Sequence, residues 1–354
     1  MSWGTAGTGP RRTRDSAGDG PVGAHSRRRS SDVPAGPSDP RPLDDIGTTL
    51  VSHRCRDAPA EAGKGEQMST SSNPPVLVGV DGSPVALAAL RWAAVDAARH
   101  NVPLHLVYAI GVLGVFGSGF ELEQFDFDGY RRGGLEALET ARATAVSESA
   151  SIAELEITTE LVDAPPIPLL RDRSKTARLL VLGTHGLGTV NRRLLGSVST
   201  ALARHAACPV AVIPETIAPP DGPVVVGVDG SRSSAHAVEI AFDEAAFRGA
   251  ELVAVHTWSD FLHFGSSEQR QEEGEELLSR SIAGFGEKYP EVPVHRIVTV
   301  DRPAERLLMV GEKAQLIVVG SHGRGGFPGM TLGSVGQAVL HAADVPVIIA
   351  RSAS

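Results

Sequence analysis

Short apolar runs alternate with longer segments of helical periodicity between residues 73 and 215. Runs of aliphatic residues bounded by Gly, Pro or polar residues predict buried strands, and apolar residues repeating every three or four positions predict helices. The predicted strands are Pro75–Val80, Leu104–Ala109, Ile157–Val162, Leu179–Leu182 and Pro209–Ile213. The predicted helices are Pro84–His100, Arg131–Glu148, Ile167–Lys175 and Ser197–His205.

The same series returns in the second half of the chain. Val224–Ser231 matches Val76–Ser83 almost residue for residue, 148 positions later, and a proline-rich stretch at 216–222 separates the two copies. The later strands of the second copy are predicted at Leu252–Trp258, Val294–Val300, Leu316–Val319 and Val345–Ala350. Such self-similarity predicts two copies of one domain, at residues 73–215 and 223–352, joined by a linker.

Strands that alternate with helices predict parallel β-α-β units with right-handed crossovers. Each copy is therefore predicted to be an open, doubly wound parallel α/β sheet with the strand order 3-2-1-4-5, whose ligand crevice lies between strands one and four. In that order Pro209–Ile213 and Val345–Ala350 are apolar sheet edges. Because exposed edges tend to pair, we expect the halves to dock through them as a pseudo-twofold pair, and the protein to form a homo-oligomer, a dimer.

Residues 1–72 differ in composition from the rest of the chain. They are rich in Gly, Pro and Ser, contain arginine clusters at Arg11-Arg12 and Arg27–Arg29, and show no apolar periodicity. A segment of this kind cannot bury a core, so we predict a disordered extension. Every folding signal follows Met68, and we expect Met68 to be the true start of the protein and the residues before it to reflect an upstream mis-start.

The composition of the whole chain narrows the class of function. Its 42% apolar and 21% charged content is typical of a soluble globular protein. A formal net charge of −9 argues against nucleic acid and anionic membranes as partners. No apolar run reaches the roughly 20 residues of a membrane span. Cys55 and Cys208 offer no disulfide framework and no secretory signal is visible, so we expect a cytoplasmic protein with Cys208 buried.

A glycine-rich motif follows the fourth predicted strand of each copy. Gly183–Gly186 is followed by Gly196-Ser197, and Gly320–Gly323 is followed at the same spacing by Gly333-Ser334. Glycines let backbone N–H groups approach an anion closely, and a serine N-cap would add a hydroxyl at the positive end of the next helix. Neither copy fits the P-loop pattern or the G-x-G-x-x-G dinucleotide pattern. The repeated motif therefore indicates a different kind of phosphate-binding loop.

Each half opens with Val-Gly-Val-Asp-Gly-Ser and ends in a strand that contains Pro-Val. Together with the two glycine-rich motifs, these features resemble those of the universal stress protein family. The resemblance covers about residues 74–352 in two tandem copies. It implies a doubly wound α/β fold that binds ATP together with Mg²⁺. It also implies a regulator of stress and growth state, with an unidentified protein partner, rather than a dedicated enzyme.

The resemblance also implies which residues bind the nucleotide. In the first half it assigns Asp81 to the edge of the adenine and Val107 to the surroundings of the base. The ribose and phosphates are assigned to Gly183, His185 and Gly186, and the phosphate-binding helix start to Gly196, Ser197, Val198 and Ser199. The second half offers Asp229, Gly320, His322, Gly323, Gly333, Ser334 and Val335. No catalytic residue and no protein ligand for a metal is implied.

Other interpretations of these residues stay open. Asp81 could cap the following helix, and His185 and His322 could be hydrogen-bonding residues of a polar loop. The protein could be a slow ATPase or an adenylyl-transfer enzyme, although phosphoryl transfer needs a group that orients the nucleophile, and no convincing carboxylate stands beside either loop. It could also be an interaction scaffold with vestigial nucleotide sites.

The second site departs from the first at two places. Gly336 replaces Ser199, and Met330-Thr331 lies near the position at which the first half has Arg192-Arg193. A hydroxyl that donates to a charged phosphate contributes about 1.5–3 kcal/mol. We therefore expect the first site to bind nucleotide about ten- to a hundredfold more tightly than the second.

Removal of residues 1–67 should leave the melting temperature unchanged, because that segment has no apolar pattern with which to pack on a folded domain. Thermal unfolding of the full and shortened chains provides the comparison. A decrease of several degrees, which corresponds to about 1 kcal/mol or more in a chain of this size, would contradict the expectation.

Overall fold

The computed structural model describes residues 73–111, 127–186, 195–215, 219, 221–258, 266–325 and 331–351. These residues all belong to one structural unit, Met68–Ser354. The predicted extension at 1–72 and most of the predicted linker at 216–222 lie outside the described residues. So do Arg192, Arg193 and Met330.

The first half contains the predicted alternation of strands and helices. Its strands are β1 Val76–Val80, β2 Leu104–Ala109, β3 Ile157–Val162, β4 Leu179–Gly183 and β5 Val210–Ile213. Its helices are α1 Pro84–His100, α2 Phe127–Ser149, α3 Pro166–Arg173 and α4 Ser197–His205, with a 3-10 turn at Ser174–Thr176 after α3. The predicted helix 167–175 is thus two pieces. They separate where the hydroxyl of Ser174 donates to the carbonyl of Arg171 and accepts the N–H of Ala207.

The second half repeats this series. Its strands are β6 Val224–Gly227, β7 Leu252–Trp258, β8 Val294–Val300, β9 Leu316–Gly320 and β10 Val347–Ala350. Its helices are α5 Arg232–Arg248, α6 Ser267–Ile282, α7 Phe285–Lys288, α8 Pro303–Gly311 and α9 Ser334–Ala342. The first helix of each half begins in the same way, because the Ser83 and Ser231 hydroxyls accept the N–H groups of Ala86 and Ser234 as N-caps.

Within the described residues, the strands form one continuous sheet in the order β3-β2-β1-β4-β5-β10-β9-β6-β7-β8. Each half has the predicted order 3-2-1-4-5 with parallel neighbours. The two halves meet where β5 and β10 pair antiparallel, with Val347 opposite Val212 and Ile348 opposite Ala211. The prediction that the halves dock through their terminal strands is confirmed, and the two predicted sheets are in fact one.

Successive residues of each strand bury their side chains on opposite faces of the sheet. On one face, Val76 and Val78 pack in a core with α1, α2, α5 and α6. On the other face, Leu77 packs in a core with α3, α4, α8 and α9. Because both faces of the central strands are covered, β1, β4, β5, β6, β9 and β10 are apolar, whereas the edge strands β3 and β8 contain polar and charged residues.

Replacement of Val212 by Asp should separate the two halves. Val212 is 2% exposed and pairs with Val347 across the junction of β5 and β10. An unpaired carboxylate buried there should lower the free energy of unfolding by about 4 kcal/mol or more. Urea denaturation measures the loss, and solution scattering measures the expansion of the native state.

Val146→Asp is the matched control, because Val146 is 53% exposed on α2. It should change the free energy of unfolding by no more than about 0.5 kcal/mol. Equal effects of the two substitutions would show that the β5–β10 junction does not hold the halves together.

Candidate nucleotide-binding sites

Two clefts open at the carboxyl ends of the parallel strands, one in each half. Their volumes are about 420 Å³ in the first half and about 290 Å³ in the second. The predicted residues that line the first cleft are Asp81, Val107, His185, Gly186, Gly196, Ser197, Val198 and Ser199. Those that line the second are Asp229, Gly320, His322, Gly323, Gly333, Ser334 and Val335. Gly183 is buried at the end of β4, where a Cβ would lie 2.8 Å from Cγ1 of Val85 on α1.

One wall of the first cleft is apolar. Val107 on β2, which is 1% exposed, is followed there by Tyr108 and Ala109, and Leu170 of α3 faces the same space. Apolar walls of this kind, combined with a few polar groups, are typical of sites for small organic ligands. The wall can pack against a planar base, as the sequence resemblance implies for Val107.

The aspartate after the first strand of each half connects two loops. Oδ1 of Asp229 accepts the N–H of Ser231 at 2.9 Å, and Oδ2 accepts the N–H of Arg324, beyond β9, at 3.1 Å. A Cβ on Gly323 would lie 2.7 Å from the same Oδ2. A side chain at position 323 would therefore displace this carboxylate oxygen from its present position. The contact with the adenine edge that the resemblance implies stays a prediction.

The first half has the same arrangement. Oδ1 of Asp81 accepts the N–H of Ser83 at 2.9 Å. A Cβ on Gly186 would overlap with Oδ2 of Asp81, so any side chain at this position would displace the carboxylate. The helix cap itself is Ser83, and the capping interpretation of Asp81 is wrong in that detail.

Each phosphate-loop helix begins at a glycine rather than at the predicted serine. Gly196 is the N-cap of α4, with extended backbone at φ −65° and ψ 155°, and no side chain among the described residues caps the helix. Ser197 is the first helical residue and is exposed. A Cβ on Gly196 would lie 3.2 Å from Cα of His185, and the N–H of Gly196 donates to the Thr184 carbonyl at 2.7 Å.

The absence of a side-chain cap leaves the first N–H groups of α4 to another acceptor. The positive end of the helix dipole adds to them, and together they favour an anion. α9 has the same geometry, with Gly333 as the uncapped N-cap and its N–H donating to the Ser321 carbonyl at 2.7 Å. Both helix starts line their clefts, as predicted.

Ser199 does not have the predicted role of a phosphate donor. Its hydroxyl is buried and donates to the carbonyl of Gly183 at 2.7 Å, so its one proton connects α4 to the end of β4. In the second half a Cβ on Gly336 would lie 3.4 Å from the Gly320 carbonyl, and glycine leaves that carbonyl without this donor. The expected difference in affinity therefore cannot come from the Ser199 hydroxyl.

The two loop histidines have similar surroundings. Nδ1 of His185 shares a hydrogen bond with the Thr184 hydroxyl at 3.1 Å, and Nδ1 of His322 does so with the Ser321 hydroxyl at 3.1 Å. Both side chains line the clefts. This geometry agrees with the interpretation of these histidines as hydrogen-bonding residues.

The lining of the second cleft differs from that of the first at positions that the sequence analysis missed. Thr257 stands where the first half has Ala109, and Arg324 follows the glycine loop. His256, at the position of Tyr108, is buried. Nδ1 of His256 donates to the Val228 carbonyl at 2.7 Å. Burial lowers the pKa of His256, and the charge of Arg324 acts in the same direction. A residue-by-residue alignment of the two halves would have shown these exchanges.

Comparison with known proteins decides the family. The universal stress protein family matches residues 73–214 and again 222–351. The chain belongs to the universal stress protein family. Universal stress protein Rv1996 of Mycobacterium tuberculosis is 44% identical over 299 residues, covering 78% of this chain and 94% of that protein. Universal stress protein Rv2623 of the same species is 41% identical over 294 residues, covering 80% of this chain and 98% of that protein.

A solved structure has the same fold. The crystal structure of a universal stress protein from Archaeoglobus fulgidus covers 79% of this chain and 97% of its own, with a TM-score of 0.57 and 21% identity. The resemblance inferred from the sequence motifs is confirmed, including the tandem arrangement. In the described part of this universal stress protein, no helix is both long and apolar enough to cross a membrane.

Ser199→Ala should lower the free energy of unfolding by about 1–3 kcal/mol, because the substitution leaves the buried carbonyl of Gly183 without its donor. Urea denaturation measures the change. Ser197→Ala is the control, two residues earlier on the exposed side of α4, and should change stability by less than about 0.5 kcal/mol. Equal stability of the two variants would contradict the anchoring role of Ser199.

Proposed function

We propose that this universal stress protein is a cytoplasmic regulator that binds ATP, and acts through nucleotide-dependent conformation or partner binding rather than turnover. The observation that carries the proposal is the repeated cleft. Each half combines an apolar wall at the carboxyl ends of its strands with an uncapped helix start beside it. A base and a phosphate chain need these two surfaces in one cleft.

The fit of a nucleotide follows from the lining of the first cleft. Its volume of about 420 Å³ is within the range of small-molecule sites. The apolar wall with Val107 would pack against the adenine, and the N–H groups at the start of α4 would bind phosphate oxygens. Mg²⁺ would be held mainly by the phosphates, because this ion commonly takes few protein ligands when it binds a nucleotide.

The lining favours a regulator over an ATPase or an adenylyl-transfer enzyme. Among the described lining residues, the acidic side chain is Asp81 in the first cleft and Asp229 in the second. Oδ1 of each accepts a backbone N–H within its own turn. Such a carboxylate connects loops and is poorly placed to orient an attacking nucleophile, which phosphoryl transfer needs.

The two sites should differ in affinity, although not for the reason first expected. The first cleft is larger and has Tyr108 and Ala109 at its apolar wall, whereas the second has Thr257 at the position of Ala109. Tighter binding to the first cleft stays a prediction, and it now depends on contact with the base. The affinity of each site can be measured by titrating a variant in which the other site is disabled.

Ser197→Asp should weaken ATP binding to the first cleft at least about tenfold while leaving the fold intact. The side chain at 197 is exposed on the first turn of α4, where a carboxylate stabilises the helix but repels a phosphate. Ser334→Asp should do the same in the second cleft. Calorimetric titration with ATP and Mg²⁺ measures both sites, and adenosine, which has no phosphate, should bind the variants and the parent protein equally.

Ser197→Asn is the matched control, because it has the shape of aspartate without its charge. If the parent protein binds no ATP at millimolar concentration, the scaffold with vestigial sites is the better description. If both aspartate variants bind ATP as the parent does, the phosphates lie elsewhere. Phosphate release in the same samples at a rate approaching ~1 s⁻¹ would favour the enzyme.

A further inference from the structure

A group of charged side chains lies where the first helices of the two halves meet, away from both clefts. We call it the seam cluster. Its members are Asp96 and His100 of α1, Asp243, Glu244 and Arg248 of α5, and Arg178, which precedes β4. The side chains of Asp96, His100, Glu244 and Arg248 are each exposed by 5% or less. The function proposed above makes no use of this cluster.

The seam cluster is a pseudo-symmetric pair. Asp96 and His100 are four residues apart on α1, and Glu244 and Arg248 occupy the equivalent positions on α5, 148 residues later. Each half thus contributes one acidic and one basic side chain to the seam cluster, and the two lie on the same face of their helix. The base of the second half is a permanently charged guanidinium, whereas the base of the first is an imidazole that titrates near neutral pH.

The fixed charges of the seam cluster do not balance. Nη2 of Arg248 lies 3.0 Å from Oδ1 of Asp96 and 2.8 Å from Oε2 of Glu244, and Nη2 of Arg178 lies 2.7 Å from Oδ2 of Asp243. Two guanidinium groups therefore form ion pairs with three carboxyl groups. With every carboxyl ionised and His100 neutral, these ion-paired groups carry one excess negative charge. The guanidinium of Arg99 adds a positive charge near Asp96 and Glu244, so the imbalance is local to His100 and the carboxylates that it faces.

The geometry of His100 shows where a proton would restore the balance. Nδ1 lies 2.9 Å from the main-chain carbonyl of Asp96, which can only accept, so Nδ1 carries a hydrogen. In a neutral ring Nε2 would then be a bare lone pair. Nε2 lies 3.3 Å from Oδ2 of Asp243 and 3.8 Å from Oε1 of Glu244. A lone pair facing two carboxylates is repulsive, whereas an imidazolium N–H there is attractive.

The same excess of negative charge affects the pKa values of Asp96 and His100. Within the described residues, Oδ2 of Asp96 and Nε2 of His100 are both buried without a hydrogen-bond partner. Burial and the neighbouring Glu244 raise the pKa of Asp96 to about 7. Burial alone would lower the pKa of His100, but its contact with Asp243 and the charges of Asp96 and Glu244 outweigh burial and raise that pKa. Because the pKa values of Asp96 and His100 are both raised, the folded cluster retains a proton.

We propose that the seam cluster holds one proton at neutral pH, on His100 or shared with Asp96, and that this proton locks the two halves together. Loss of the proton leaves like charges facing across α1 and α5 and loosens the junction. The other charged or polar groups that face the cluster are Arg99 of α1, Lys288 of α7, Tyr289, whose hydroxyl lies 3.3 Å from Oδ1 of Asp243, and Gln315, whose Oε1 lies 3.5 Å from Nη1 of Arg248.

A proton fits the seam cluster better than a metal ion does. Asp96, His100 and Glu244 could each offer one ligand atom to a cation. However, the guanidinium of Arg248 already lies within ion-pair distance of both carboxylates, and it would repel a divalent cation placed beside it.

The sign of the pH effect follows from the raised pKa values. Asp96 rises from 3.8 to about 7 and His100 rises above 6.5, so the folded protein binds more protons than the unfolded chain in that range. Stability therefore decreases as pH rises through neutrality. The lowered pKa values of Asp243 and Glu244 act in the opposite direction, but only below their ordinary values of 3.8 and 4.5.

Thermal unfolding of the full chain between about pH 5.5 and 8.5 tests the proposal. The melting temperature should decrease with rising pH by about 5 °C. His100→Arg supplies the charge that the second half has in Arg248, and the decrease should shrink by at least half. Asp96→Asn mimics the protonated acid and removes one negative charge, so it should also flatten the profile. His341→Arg is the matched control at an exposed histidine of α9 and should leave the profile unchanged.

Nitrogen-15 shifts of His100 give a second readout that does not depend on how well the variants fold. Both ring nitrogens should be protonated at pH 6.5, with a titration midpoint above that value. A midpoint below 6.5 would overturn the proposal. So would an unchanged pH profile in both His100→Arg and Asp96→Asn, or a stoichiometric divalent ion whose removal by EDTA lowers the melting temperature of the parent protein.

Discussion

The main-chain hydrogen bonds between β5 and β10 hold the rest of the structure in place. Each half alone would end in an apolar strand with unpaired N–H and C=O groups, and such edges aggregate or find a partner. Their antiparallel pairing makes one sheet of two and brings α1 against α5. The strands of the two halves then run in opposite directions. The carboxyl ends of the two sets of strands, and with them the two clefts, therefore point to opposite ends of the strands in this sheet.

Much of the fold could be predicted because each strand is a short apolar run with a polar or glycine boundary. Three strands of the second half, at Leu252–Trp258, Val294–Val300 and Leu316–Gly320, lie within one residue of the prediction. The helix start of the phosphate loop was harder to predict. Serine is a favoured N-cap, so local preference points to Ser197, whereas the N-cap of α4 is Gly196, where a Cβ would crowd the backbone of His185 at 3.2 Å.

The side-chain chemistry was less predictable than the fold because it depends on contacts between distant segments. The hydroxyl of Ser199 could reach a ligand or the carbonyl of Gly183, and only the packing of α4 on β4 decides between them. The spacing of Asp96 and His100 is visible in the sequence, but nothing local shows that α5 faces them. The exchange of Tyr108 for His256 was also visible, and it was missed because the comparison of the halves stopped at the glycine motifs.

The covalent connection between β5 and β6 has a consequence for how this protein can change. In a dimer of identical chains, association depends on concentration, and every substitution at the interface occurs twice. In one chain the second half is always present at a high effective concentration, because the two halves are covalently joined. Each half can therefore mutate independently without loss of its partner, which permits a division of labour between two once-equivalent positions, such as His100 and Arg248.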